Sequence, residues 1–171
     1  MSRYRIVPDR SRVVIDAASS LHPIHTETVG LEGWLELDVQ GGGRVDLRSQ
    51  ARAHLELPVS RLRSGNPIED RELRRRIDAR RFPTITGDLT TMEPTGELGR
   101  YLVRGEVTFK GVTRQATDGV TISLEADGTI RLTGSSVFDI RDFGMEPPRI
   151  LALRVAPEVR VGVDLLAEKV L

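Results

Sequence analysis

The chain is short of several kinds of residue, and each shortage excludes a class of protein. It has no cysteine among its 171 residues, which excludes disulfide scaffolds, thiol chemistry and thiolate metal sites. Aromatic residues make up only 4% of the chain, which leaves little for the stacking platforms of single-strand nucleic-acid binders. The 25 basic and 25 acidic residues balance, so the chain has no basic excess for binding nucleic acid through bulk charge.

The chain also lacks a long uninterrupted apolar run. Its first ten residues, MSRYRIVPDR, carry charges that break up the apolar stretch of a secretory signal. No window approaches the roughly 18 apolar residues of a membrane-spanning helix. We therefore expect a soluble, cytoplasmic protein, and the length predicts a single domain over residues 1–171.

The dominant feature of the sequence is the alternation of apolar and polar residues. A period of two predicts β-strands, because successive side chains of a strand point to opposite faces of the sheet. About eight runs show it, and most have one apolar and one charged face. The runs are Val13–Ala18, Val29–Val39, Val45–Leu57, Ile85–Met92, Val103–Phe109, Val120–Leu124, Ile130–Phe138 and Val159–Leu165.

Short turns join most of these runs. Gly41–Gly43 and Lys110-Gly111 indicate tight connections, and Asp127-Gly128 is typical of a type I′ hairpin. Short connections imply antiparallel neighbours. We predict an all-β fold, an eight-stranded antiparallel barrel, because closure removes the exposed strand edges. A two-sheet sandwich is the alternative.

One segment in a long connection predicts a short helix. Asn66 is a capping residue, Pro67 suits the first helical position, and Glu69 stands three residues after the cap. The helix is predicted from Pro67 to about Arg80, ending before Phe82-Pro83. Eight arginines and four acidic residues lie in region 58–82. This basic surface is either a solvated face or a surface for transient contact with an anionic membrane.

Four segments, in order along the chain, resemble the YceI-like family, also called the polyisoprenoid-binding or lipid-binding YceI domain. They are Tyr4–Val13, Arg63–Ile85 with its Phe-Pro pair, Gly105–Thr113 with a G-x-V-T-x-x-G-x-T pattern, and Ser136–Gly144, which ends in Asp-Phe-Gly. The resemblance covers nearly the whole chain, with a departure at Leu21–Thr26. It implies a lipocalin-like barrel that carries a long polyisoprenoid or another amphiphilic chain.

The predicted barrel raises the question of what fills it. An eight-stranded barrel is either packed with side chains or wide enough for one small ligand. Small residues of the inward set would leave room, or would only relieve crowding where strands bend. They are Gly33, Ala51, Ala53, Gly105 and Gly134. Alternation predicts ten ligand-lining residues: Leu31, Leu35, Leu47, Ala51, Leu55, Val107, Phe109, Ile122, Leu132 and Phe138.

Signals for catalysis or metal binding are weak. His22 and His25 flank Pro23 without further ligands at a recognisable spacing. No G-x-S-x-G nucleophile elbow occurs, and Asp142-Phe143-Gly144 stands without the other kinase elements. We therefore expect no cofactor and no catalysis. The alternatives are a stress-related structural protein with a filled barrel and, less favoured, a hydrolase. Trp34, on the charged face of its strand, suggests a homodimer contact.

Overall fold

The computed structural model describes residues 1–150 and 153–171, and most of them lie in β-strands. The strands are β1 (Arg3–Ile6), β2 (Arg12–Ser19), β3 (Ile24–Val29), β4 (Glu32–Glu36), β5 (Val39–Gln40), β6 (Arg44–Val45), β7 (Arg52–Pro58), β8 (Thr84–Pro94), β9 (Arg100–Phe109), β10 (Val112–Leu124), β11 (Ile130–Asp139), β12 (Arg149–Ile150) and β13 (Leu153–Lys169). One α-helix, α1, spans Pro67–Ile77. Short 3₁₀ turns occur at Pro8–Arg10, Gly41–Gly43, Val59–Arg61 and Ile140–Phe143.

Eight antiparallel strands close into a barrel. Their order around the ring is β1, β4, β7, β8, β9, β10, β11 and β13, and β1 closes it by pairing with both β4 and β13. Strand β2 follows β1 along the same edge of β13, and β3 pairs with β2. The predicted eight-stranded antiparallel barrel is confirmed, and the closed ring excludes the two-sheet sandwich.

The predicted alternation places apolar side chains inside. On β9, Val103 and Val107 line the interior, while Arg104 and Glu106 between them are exposed. Two of the predicted runs are too short, since β10 begins at Val112 and β13 spans Leu153–Lys169, and two others are interrupted. The run Val29–Val39 breaks after Val29, where Gly30 has a φ of 100°. The run Val45–Leu57 breaks between β6 and β7, where the Asp46 carboxylate accepts a hydrogen bond from the backbone N–H of Arg48.

Two of the three predicted turns have the expected form. Gly41–Gly43 joins β5 to β6, which pair antiparallel. At the β9–β10 turn both Lys110 and Gly111 have positive φ, the geometry of a type I′ hairpin. The type I′ prediction for Asp127-Gly128 is wrong, because in that pair only Gly128 has a positive φ. Its N–H donates to the carbonyl of Glu125, which closes a four-residue turn whose last residue is the left-handed Gly128.

The helix begins at the predicted residue. The Asn66 side chain accepts a hydrogen bond from the N–H of Ile68, and Pro67 follows the cap. The helix ends three residues before the predicted Arg80, because Asp78 adopts a left-handed conformation with φ 57°. Its N–H then bonds to carbonyls of the last turn, which terminates the helix.

The two ends of the barrel differ. The helix end holds α1, the β2–β3 and β9–β10 turns and the segment 140–150 that follows β11, and the hairpin end holds the β5–β6 hairpin and the β8–β9 and β10–β11 turns. At the hairpin end the interior is filled by fully buried side chains, including Ile6, Leu37, Ile122, Ile130 and Leu165. The Tyr101 hydroxyl fastens the β5–β6 hairpin across this end. It donates to the Gly43 carbonyl at 3.1 Å and accepts from the Val45 N–H at 2.7 Å.

Candidate functional site

A cavity of about 470 Å³ lies inside the barrel. Its wall is made by inward residues of the ring strands and of β2 and β3, which are mainly Val, Leu, Ile and Ala. Such a volume lies within the range of small-molecule sites, which is about 300–1,000 Å³. The closed strand ring supplies the wall, and the filled core at the hairpin end supplies its floor.

The helix end forms the roof of the cavity. Leu73 and Ile77 of α1 line it from above, and Ile77 is fully buried. Three phenylalanines form part of the same end. The Phe143 ring lies edge-on to Phe109 at 5.7 Å between centroids and to Phe138 at 6.1 Å. This cluster connects the turn after β11 to the ends of β9 and β11, which keeps the upper cavity apolar.

Most of the predicted lining residues lie in this wall. They are Leu31, Leu35, Leu55, Val107, Phe109, Leu132 and Phe138. The other three lie in or against the hydrophobic core: Ala51 and Ile122 are buried in it, and Leu47 packs against it. Alternation indicates which face of a strand a residue occupies, but it does not show where along the barrel axis the filled part ends. Ligand contact by the seven wall residues remains a prediction.

The small inward residues do not all provide space. A Cβ at Gly105 would lie 2.6 Å from the carbonyl oxygen of Asp88, and one at Gly33 would lie 2.1 Å from that of His54. These glycines allow close approach of neighbouring strands, at Gly105 beside a bulge in β8, so of the two alternatives they relieve crowding and do not leave room. Gly87, which the sequence analysis missed, does leave room, because the nearest atom to its added Cβ is 4.0 Å away.

Beside the cavity, the barrel wall is interrupted between β10 and β11. Strands β10 and β11 pair from Val120–Gly134 down to Leu124–Ile130, whereas the upper part of β10 pairs only with β9 and the upper part of β11 only with β13. The next inward residues above the last pair are Asp118 and Ser136, and both line the cavity. We call this gap between residues 112–119 and 135–139 the side opening. The only sign of the side opening in the sequence is Asp118, a carboxylate at a strand position that faces inward.

The polar clusters lie mainly on the outer face. His54 Nδ1 is 2.6 Å from Asp88 and its Nε2 is 3.0 Å from Glu56, and the hydrogen bonds to Glu56 and to Asp88 raise the pKa of His54. His25 lies beside Asp16, which raises its pKa in the same way. Across residues 1–150 and 153–171, no three His, Asp or Glu side chains converge as metal ligands.

Trp34 has an intramolecular contact. The Arg3 guanidinium lies 4.6 Å above its ring, and the ring centroid is 6.3 Å from that of His54. The side chain is only half-buried. The homodimer suggested by Trp34 therefore remains a prediction.

The exposed face of α1 carries the predicted arginines. Arg75 and Arg76 both bond to Glu72 and lower the pKa of that carboxyl to about 2. Arg71 and Arg74 are exposed and have no ion-pair partner among the described residues. The helix thus presents positive charge outward and apolar side chains to the cavity. In the described part of the chain, no helix is both long enough and apolar enough to cross a membrane.

Comparisons with known proteins place the chain in a family. The model of the YceI-like domain matches residues 4–167. Among solved structures, BcnA of Burkholderia cenocepacia is similar over 95% of this chain and 99% of its own, with a TM-score of 0.79 and 18% identity. A polyisoprenoid-binding domain from Saccharophagus degradans, implicated in plant cell wall breakdown, is similar over 99% of this chain and 100% of its own, with a TM-score of 0.75 and 12% identity.

The YceI protein of Campylobacter jejuni is similar over 80% of this chain and 81% of its own, with a TM-score of 0.59 and 12% identity. No curated protein matches the sequence. At these identities the likeness to solved structures supports the fold, and the match of the family model over nearly the whole length supports membership. The chain belongs to the YceI-like domain family.

Proposed function

We propose that this protein binds and carries a polyisoprenoid or another long-chain amphiphile in the barrel interior, without catalysis. The observation that carries the proposal is the apolar cavity of about 470 Å³ above the filled hairpin end. The family resemblance and the similar polyisoprenoid-binding domain from Saccharophagus degradans support the same ligand class. The alternative of a stress-related structural protein requires a barrel filled along its whole length, whereas this barrel contains a cavity.

The shape of the cavity suits an extended chain. On β13 its wall runs from Val155 to Leu165, which is about 33 Å along the strand. With the usual barrel tilt this is at most about 25 Å along the axis. Since an extended chain advances about 1.2 Å per bond, roughly 20 bonded atoms would fill the length. Each buried CH₂ contributes about 0.8 kcal/mol, so apolar burial alone can offset the cost of ordering such a chain.

The proposal predicts that the natively purified protein carries lipid. Mass spectrometry of an organic extract is expected to find about one long-chain amphiphile per protein chain. Gly87→Leu fills the cavity without displacing backbone and is expected to reduce the bound lipid several-fold. Gly162→Leu is the matched control, because Gly162 lies on the outer face of β13 and its nearest neighbour would be 3.9 Å from the new Cβ.

The control experiments separate a folding defect from a filled cavity. Thermal unfolding checks each variant, and Ala116→Leu, a second inward substitution on β10, is compared with its exposed neighbour Gln115→Leu. Protein stripped of lipid is also titrated with geranylgeraniol, a twenty-carbon isoprenoid alcohol. The proposal is rejected when the native protein yields no lipid and the stripped protein binds none, or when the inward variants bind as much as the wild type.

The remaining predictions concern membrane contact, cellular location and assembly. The exposed arginines of α1 lie on the opposite side of the helix from Leu73 and Ile77, so a lipid passing through the helix end would meet a basic surface first. Transient contact of this surface with an anionic membrane during loading is part of the proposal. The cytoplasmic location and the homodimer remain predictions from the sequence.

A further inference from the structure

We infer that the cavity selects amphiphiles whose polar end donates a hydrogen bond, such as an alcohol or an amine, over those that end in a phosphate, and that Asp118 receives this end at the side opening. The inference rests on the proposed function and adds the chemistry of the ligand's polar end. It requires an inward carboxylate, an absence of competing partners for it, and access for a polar group at the same level of the barrel.

The strand register fixes the direction of Asp118. It pairs with Val103 of β9 and stands between Ala116 and Val120, all of which line the cavity. Residues that are directly opposite in an antiparallel pair point to the same face. Asp118 is half-buried and lines the cavity, so it belongs to the wall of an apolar cavity rather than to the outer surface.

The Asp118 carboxylate has no partner of its own. Within the described part of the chain it forms no hydrogen bond and no ion pair. Most other acidic groups of the molecule differ: Asp164 bonds to Arg131, and Asp139 bonds to Arg141. A carboxylate beside apolar surface gains free energy from a donor, because hydrogen bonds to charged groups contribute about 1.5–3 kcal/mol.

The side opening gives a polar group a place beside this carboxylate. The β10–β11 ladder ends on this side at the pair Val120–Gly134. If it continued by two more residues, Asp118 would face Ser136. A chain buried in the cavity can therefore keep its polar end near water, between a carboxylate and a hydroxyl. This arrangement suits an amphiphile, since its head need not be dehydrated completely.

The charges around the cavity disfavour an anionic end. The inward charged side chains of the wall are carboxylates: Asp118, and Glu69 and Asp70 on α1, where Asp70 already accepts bonds from Ser64. Arg114 shares the inner face of β10 but lies about 13 Å toward the rim. It is exposed, and its guanidinium donates to the Thr113 carbonyl. Arg100 lies against Gly119 on the outer face, 3.8 Å from Glu97.

The test compares three probes that share one twenty-carbon isoprenoid chain: geranylgeraniol, geranylgeranylamine and geranylgeranyl monophosphate. Dissociation constants for the full-length, lipid-stripped protein are expected to be at least about tenfold lower for the alcohol and the amine than for the phosphate.

Asp118→Asn is expected to reduce the advantage of the amine over the phosphate by at least about tenfold. Glu168→Gln, a loss of the same charge on the exposed surface of the hairpin end, is expected to leave that ratio within about threefold, since the filled floor separates it from the cavity.

The outcomes distinguish this inference from the proposed function. Failure of all three probes to bind rejects the proposed function. Equal binding of all three, or tightest binding of the phosphate, rejects only the choice of polar end. An unchanged ratio in Asp118→Asn, with Asp118→Ser as the second variant, rejects the role of that residue, and the comparison of probes on the wild-type protein does not depend on either variant folding.

Discussion

His54 stands between two carboxylates on the outer wall of the barrel. Its two ring nitrogens reach Glu56 on its own strand and Asp88 on the neighbouring strand β8, at 3.0 and 2.6 Å. Both carboxylates favour the charged imidazolium and raise the pKa of His54 above its ordinary value of 6.5, and the hydrogen bond to Glu56 is the largest single cause. The stability of the protein therefore depends on pH through this residue of β7.

The expected pH dependence has a defined sign. A histidine with a raised pKa in the folded state stabilises the protein fully below pH 6.5, and the contribution is lost as pH rises through the folded pKa. In an NMR titration we expect the His54 pKa to lie above 6.5 and to fall both in Glu56→Gln and in Asp88→Asn. Asp142→Asn, an exposed change on another element, should leave it unaltered.

Urea unfolding provides a second measurement of the same residue. Raising the pH from 6 to 8 should lower the unfolding free energy of the wild type more than that of His54→Gln. His25 contributes in the same direction, so the comparison is made in a His25→Gln background. Titration of His54 at or below 6.5 in the wild type would contradict this account.

At the scale of elements, strand β10 is paired in two different ways along its length. Its lower part, Val120–Leu124, pairs on both sides, whereas residues 112–119 pair only with β9. Phe109 and Val112 close a two-residue hairpin, so alternate residues of β10 direct their N–H groups to β9. The N–H groups of Thr113, Gln115, Thr117 and Gly119 therefore face the side opening.

Hydrogen exchange tests this opening directly. The amides of Gln115 and Thr117 should exchange much faster than those of Thr121 and Ser123, which face β11 where the strands pair. Residues 114 and 116 serve as internal controls, since their amides bond to β9 within the same stretch. Equal protection of Gln115 and Thr121 would show that the two strands are joined along their whole length in solution.

The sequence predicted the elements better than their limits. Asn66 and Pro67 fixed the start of α1, because a cap and a proline act through local hydrogen bonds and φ angles. Its end depended on Asp78 adopting a left-handed conformation, which no local residue requires. The run Val45–Leu57 keeps its alternation on both sides of a turn, with Ser49 as the exception, since alternation reports exposure and not pairing.

At the scale of the whole molecule, one buried tyrosine connects the β5–β6 hairpin to the barrel. The Tyr101 hydroxyl joins the Gly43 carbonyl and the Val45 N–H, which lie 58 and 56 residues away in the sequence. All three residues are buried, so these backbone groups have no access to water. The floor of the cavity depends on this connection because the β5–β6 hairpin contacts the barrel there.

Tyr101→Phe should therefore destabilise the protein. It leaves a buried donor and a buried acceptor without a partner, which costs about 1–3 kcal/mol in the free energy of unfolding. Tyr4→Phe is the control, because the Tyr4 side chain is buried to a similar extent but its hydroxyl bonds to no described residue. Urea unfolding of the two variants should differ by at least about 1 kcal/mol, and equal values would contradict the role of the Tyr101 hydroxyl.

The sequence by itself determined the fold class and the inner face of most strands, because a period of two is a local property of each strand. It also indicated the family and, through it, the class of ligand. Only the tertiary structure decided where the barrel is filled and where it is hollow. Ala116 and Ile122 both occupy inward positions of β10, yet the first lies in the wall of the cavity and the second in its floor.

The same limit applies to the glycines and to Asp118. Gly87 leaves space and Gly105 does not, because the difference lies in how closely the neighbouring strand approaches. Asp118 occupies an inward position that alternation alone would assign to an apolar side chain. Its proposed role as a ligand contact depends on the missing pairing between β10 and β11. Depth along the axis, close approach of strands and gaps between them arise from residues far apart in the chain, so a pattern within one strand cannot record them.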